Sequence, residues 1–180
     1  MDSDNALERP TYFAGQLLSA ADFRAEQEYF LAKHRRHNRY LHGWGVVSGL
    51  KVTAAGLSEV IVEPGVAIDC TGNEIDVRAH VRLQIPKNAD GYFVALQYSE
   101  TETSPVPSIA DSAPAPSTES RFTRIREGFH LSIVEADPTS GHRGRGTGSP
   151  GCGYPHPLCI ARIKKIRGGW RVDPKARRRA

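Results

Sequence analysis

From Gly45 onward the chain is a succession of short apolar alternations separated by turn signals, and this rhythm constrains the fold more than any other feature. Gly45–Thr53 alternates roughly by two, and Glu59–Val62 does so again. Pro64-Gly65 marks a turn before Val66–Ile68, and Thr71-Gly72-Asn73 marks another before Glu74–Val77. His80–Ile85 places Val81, Leu83 and Ile85 on one face, and Tyr92–Tyr98 holds most of the local hydrophobicity. Short strands recurring every eight to twelve residues or so predict an all-β sandwich or barrel. Leu158–Ile166 and Trp170–Val172 read as a closing hairpin turned by Gly168-Gly169.

Before this β region the period is helical. Ser19 and Asp22 have the spacing of a capping box, and Phe23 to Leu41 contains neither Gly nor Pro. Phe23, Gln27, Phe30, His34, Asn38 (or His37) and Leu41 fall on one stripe. That stripe is polar for a core face, because buried Gln, His and Asn each need hydrogen-bond partners. It is expected to pack on a loop-rich surface, on a second copy or on another chain. Gly43 and Gly45 end the helix.

Two segments have compositions that bury little. Residues 101–120 hold four Pro and no aromatic residue, and residues 137–157 are rich in Gly and Pro; both read as long irregular loops. Arg121–Ala136 between them is a strand pair or one long bent strand. The expected fold is therefore mainly β: an arm and helix over 1–43, a sandwich or barrel-like β domain over 44–172 with the two loops, and a basic tail over 173–180. No internal repeat is present.

Charge and cysteine content narrow the function classes. The chain has 24 Lys and Arg against 20 Asp and Glu. Residues 160–180 carry nine basic residues and one acid, a net of +8, which leaves −4 for the rest. A basic end on a mildly acidic body suits docking to an acidic partner, and Arg177, Arg178 and Arg179 are its densest part. No apolar run is long enough to span a membrane, and the acidic N-terminus lacks a signal-peptide pattern. Three Cys are too few for a disulfide scaffold.

The Cys and His residues supply the sharpest candidate chemistry. Cys152, His156 and Cys159 lie close enough in sequence to share a tetrahedral zinc, with a fourth ligand from elsewhere such as Cys70. The seven-residue gap between Cys152 and Cys159 is wider than the usual zinc-site pair, and a disulfide or unlinked thiols remain open alternatives. Zinc is thus the one cofactor the residues offer, and none is assigned from sequence. The basic, His-rich run Lys33–His42 reads chiefly as a solvated helix face, and no nucleic-acid-binding motif accompanies it. The Gly-rich run at 144–151 lacks the Lys-Ser/Thr pair and following helix of a phosphate loop. No catalytic residue is nominated.

Longer motifs carry a resemblance. Arg9-Pro-Thr-Tyr-Phe-Ala-Gly-Gln-Leu-Leu18, then Asp22-Phe23, Glu26-Gln27, His37-Asn38-Arg39 and Leu41-His42-Gly43, precede Gly45–Val52, Val62–Asp69 and Gly72–Ile75. Together they resemble a family of bacterial proteins encoded with contractile phage-tail-like injection systems. The β portion is also similar to modules of phage baseplate and tail-fibre attachment proteins. The resemblance implies a non-enzymatic structural component of the baseplate or tail end, oligomeric in the particle and in contact with other subunits. It further implies assembly in the bacterial cytoplasm into a particle that is released or docked at a membrane. Phe23, Gln27, Phe30, His34, Asn38 and Arg177–Arg179 are the expected interface residues. The competing readings are a glycan- or surface-ligand-binding β module, with Tyr154 among its contacts, and an accessory hydrolase.

Overall fold

The computed structural model describes residues 7–107, 120–140, 142 and 151–173. An N-terminal arm leads into one helix, α1 (Ala20–His37), which runs on through a π-helical turn over Asn38–His42. The capping box expected from sequence is formed. The Ser19 amide donates to Asp22 Oδ2 at 2.7 Å, and the Asp22 amide donates to Ser19 Oγ at 3.4 Å. Two orphan amides at the helix start are thereby satisfied, and the Asp22 carboxylate faces the positive end of the helix dipole.

Ten strands follow: β1 (Gly45–Gly49), β2 (Val52–Ala55), β3 (Glu59–Val62), β4 (Gly65–Ile68), β5 (Glu74–Val77), β6 (Val81–Gln84), β7 (Gly91–Pro107), β8 (Ser120–Val134), β9 (Leu158–Ile166) and β10 (Gly169–Asp173). They form three antiparallel sheets, ordered β1-β4-β5, β2-β3-β6 and β10-β9-β7-β8. The chain is mainly β, as its alternation predicts. The single run expected over Gly45–Thr53 is two strands in different sheets. The break falls at Gly49 and Leu50, which adopt φ of 57° and 53°.

One hydrophobic cluster joins the three sheets. Val46, Ala67, Ile75 and Val77 come from the first sheet, Val52, Val60 and Val62 from the second, and Tyr92, Val94, Leu96, Leu131, Ile160 and Ile163 from the third. The burial of β5, exposed and buried by turns, reflects the period of two in a sheet with one face on the core. β9 is buried from Leu158 through Ala161, where it pairs with the core stretch of β7 from Val94 to Leu96, and β10 flanks only its later half.

The loop expected over 101–120 is corrected in its first part. Thr101–Pro107 continues β7 and pairs with the start of β8, from Thr101 opposite Arg126 to Pro107 opposite Ser120. Arg121–Val134 accordingly belongs to one long strand. Thr101–Val106 bury almost nothing, so composition does not mark them; pairing with a partner strand satisfies their backbone instead. Beyond Leu96, β7 has left β9, and the β7–β8 hairpin projects as a two-stranded arm.

Candidate functional site

The turn between β4 and β5 organises the surface. The Asp69 carboxylate accepts hydrogen bonds from the Thr71 and Asn73 amides at 2.8 and 2.9 Å, from the Thr71 hydroxyl at 2.7 Å and from the Asn73 side chain at 2.9 Å. One buried side chain thus satisfies most of the turn's inward-facing donors and fixes its shape. The helical segment docks on this turn by its C-terminal end. Asn38, buried, donates from Nδ2 to the Gly72 carbonyl at 3.0 Å and to Glu74 Oε1 at 3.3 Å. Arg35 donates to Asn73 Oδ1 at 2.6 Å and to Glu100 Oε1 at 3.4 Å. His34 Nε2 stands 3.4 Å from Glu74 Oε1. Gly72, at φ 93°, lies so close that a Cβ there would run into the Arg35 carbonyl.

The rest of α1 is left uncovered, and none of its residues is buried. The stripe read from sequence is therefore not turned into this chain's own core, Asn38 excepted: Phe23 and Phe30 are 52% and 57% exposed. A groove opens between α1 and the hairpin arm, lined by Gln27, Phe30, Leu31 and His34 from the helix and by Phe122 and Ile125 from β8. Charges of both signs also line it, among them Arg24, Glu102, Arg124 and Glu127. Arg177, Arg178 and Arg179 lie outside the described residues.

A second constellation forms beneath the same turn. Cys70, next to Asp69, converges with His142, Cys152 and His156, one ligand atom of each lying within 4.8 Å of the others. Cys70 Sγ and His142 Nδ1 are 3.6 Å apart, and the two imidazole rings are 4.2 Å apart. Trp44 packs on the His142 ring with centroids 4.9 Å apart. The segment bearing Cys152 is strapped to Cys70 through its backbone. The Gly153 amide donates to the Cys70 carbonyl at 3.2 Å, and a Cβ at Gly151 would collide with the Cys70 backbone. Arg39, from the π-helical turn, donates to the Gly151 carbonyl at 3.4 Å. Burial pushes the Cys70 thiol up to about 12, with the Cys152 backbone, as a hydrogen-bond donor, pulling the other way.

The structure brings two of the three sequence candidates, Cys152 and His156, together and leaves the third apart. Cys159 lies on β9, buried, and its thiol donates to the Ala161 carbonyl at 3.7 Å. Burial pushes it up to about 12, with Asp137 adding to the rise. A strand of the central sheet fixes its direction, so nearness to Cys152 in sequence does not bring it to the site. Cys70, named from sequence as a possible fourth partner, stands beside them, and His142 is the neighbour that sequence reasoning missed. Its only sequence signal is that it stands in the same Gly-rich stretch as Cys152 and His156.

In sequence the chain matches no protein family and no curated protein. In structure it is similar to a chain of the type VI secretion system TssK-TssF-TssG baseplate subcomplex solved by cryo-electron microscopy, with TM-score 0.51 and 14% identity over 94% of this chain and 60% of that one. Two further neighbours are a crystal structure of TssK (TM-score 0.49, 14% identity, 93% of this chain and 41% of that one) and the baseplate complex from the type VI secretion system (0.48, 15%, 94% and 58%). The likeness is one of fold, and the chain spans 60% or less of the chains it matches. No described helix is long and apolar enough to cross a membrane.

Proposed function

We propose that this chain is a non-enzymatic structural subunit of a contractile injection system, assembled into the baseplate or tail end in the bacterial cytoplasm, where α1 and the hairpin arm hold a neighbouring subunit. The observation that carries this reading is the groove, where helix and ribbon face each other with exposed apolar side chains. Phe30, Phe122 and Ile125 are 57%, 49% and 64% exposed, and all three line the groove that a partner would cover. Charges of both signs along it suit a protein partner, since mixed rims fix register at interfaces. The fold likeness to a secretion-system baseplate chain supports the same reading, as does the resemblance of the N-terminal motifs.

The test is sedimentation of the tagged chain from its native host. The chain is expected to travel with large particles through high salt and nuclease, and Phe30→Asp combined with Ile125→Asp is expected to leave it in the small soluble fraction with unchanged thermal stability. Recovery of the unaltered chain only as a small species would overturn the assembly role. Normal incorporation of the double variant would overturn the groove as its interface. In the first case a glycan array is the next measurement, because Tyr154 presents an aromatic face at 75% exposure.

A further inference from the structure

The Cys70–His142–Cys152–His156 cluster has no part in the assembly reading, and its chemistry stands apart from it. Four residues of two soft and two borderline donor types come from three separate places in the chain and meet at one point. Tetrahedral Zn²⁺, with Zn–S near 2.3 Å and Zn–N near 2.05 Å, sets its ligand atoms about 3.4–3.8 Å apart. The Cys70 Sγ to His142 Nδ1 distance of 3.6 Å falls within that range, and the spread of the whole set exceeds it by only about an ångström at most.

The decisive observation is the His156 ring. Its Nδ1 lies 2.8 Å from the Pro157 carbonyl, which can only accept, so Nδ1 carries the proton. Nε2 is then the lone-pair nitrogen, and it is buried without any hydrogen-bond partner. An orphaned acceptor of this kind costs about 1–3 kcal/mol unless something coordinates it. A carbonyl holding the far nitrogen is the arrangement by which proteins orient metal-binding histidines. Around Cys152 the backbone also holds the sulfur in place: the Tyr154 amide donates to Cys152 Sγ at 3.4 Å.

We propose that Cys70, His142, Cys152 and His156 bind one Zn²⁺ in a closed, structural Cys₂His₂ site. All four positions are filled by protein, so no open position remains for substrate. The metal would tie His142, Cys152 and His156 to the β4–β5 turn, the same turn on which the helical segment docks through Asn38. Cys159 takes no part.

The full-length chain, purified under reducing conditions without chelator, is expected to contain one equivalent of zinc by elemental analysis. Stripped with chelator and titrated with Co²⁺, it is expected to show thiolate charge-transfer absorption and the visible bands of a tetrahedral S₂N₂ centre. His142→Ala should weaken Co²⁺ binding by more than about a hundredfold, the upper end for losing an outer-shell partner. Cys159→Ala should leave the stoichiometry unchanged. Cys70→Ser should weaken the charge-transfer band, leaving only the share that Cys152 supplies; if that variant does not fold, His142→Ala and the cobalt spectrum of the unaltered chain carry the test. Reduced protein that holds no zinc and gives no tetrahedral cobalt spectrum would overturn the site, as would a Cys70–Cys152 disulfide in freshly isolated protein. Loss of metal in Cys159→Ala would overturn the ligand set.

Discussion

Replacing Asn38 by Ala tests whether the helix is held on the β domain by one buried polar contact. Asn38 is 3% exposed and is the one buried residue between Ala20 and His42. The substitution removes the donor to the buried Gly72 carbonyl and leaves that acceptor unpaired, at a cost of about 2 kcal/mol. Alanine's better helix propensity returns up to about 0.7 kcal/mol, so the net loss is about 1.5 kcal/mol, close to a factor of ten. An 18-residue helix with no other buried residue is marginal by itself, so the loss should appear as local undocking rather than global unfolding. Hydrogen exchange is the assay. Amides of α1 should exchange about tenfold faster in Asn38→Ala, while those of β7 and β9 keep their protection. Equal loss of protection in helix and strands would refute local docking, and unchanged helix exchange would refute the role of Asn38.

Two further outcomes follow from the same structure. The Asp22 carboxyl is held below its ordinary value, chiefly by the hydrogen bonds from the Ser19 side chain and amide, so its capping contribution is complete above the unfolded value and disappears as pH falls through the lower folded one. Acidification through that window should loosen the first turn of α1 in hydrogen exchange, and Asp22→Asn should remove that pH dependence. Ile163 is fully buried on β9 between Tyr92 and Val172, and Ile163→Ala should cost about 2–5 kcal/mol, lowering the urea midpoint with an unchanged slope.

How far the sequence foretells this structure depends on what holds each element. Strands that face the core announce themselves, because Val60, Val62, Ile75 and Val77 must alternate with outward residues. The helix start is equally plain, since Ser19 and Asp22 act on each other three residues apart. Thr101–Pro107 is not, because its strand state comes from a partner strand about twenty residues away and not from apolar burial. The orientation of the helical stripe is also hidden. Phe23 and Phe30 have core-like spacing, but the chain's own core closes without them, and only contacts such as Asn38 to Gly72 decide where the helix lies. The ligand cluster was half legible. Cys152 and His156 lie four residues apart, whereas Cys70 and His142 are brought in by the β4–β5 turn and by a segment whose composition carries no periodic signal.

The projecting hairpin has a mechanical consequence. Past Tyr98, which with Phe129 still packs on the core, β7 continues for nine residues with β8 as its partner, which at about 3.3 Å per residue gives a ribbon roughly 30 Å long. Such a lever lets a small domain touch molecules that its body does not abut. Among the described residues it also leaves two unpaired strand edges, the usual route to indiscriminate pairing. Pro105 and Pro107 at the end of β7 lack the amide that an added strand would need, and Ser104, at φ 58°, breaks the ladder beside them. The end of β7 is thus poorly suited to strand addition, whereas Gln97–Thr103 holds no Pro and keeps its amides.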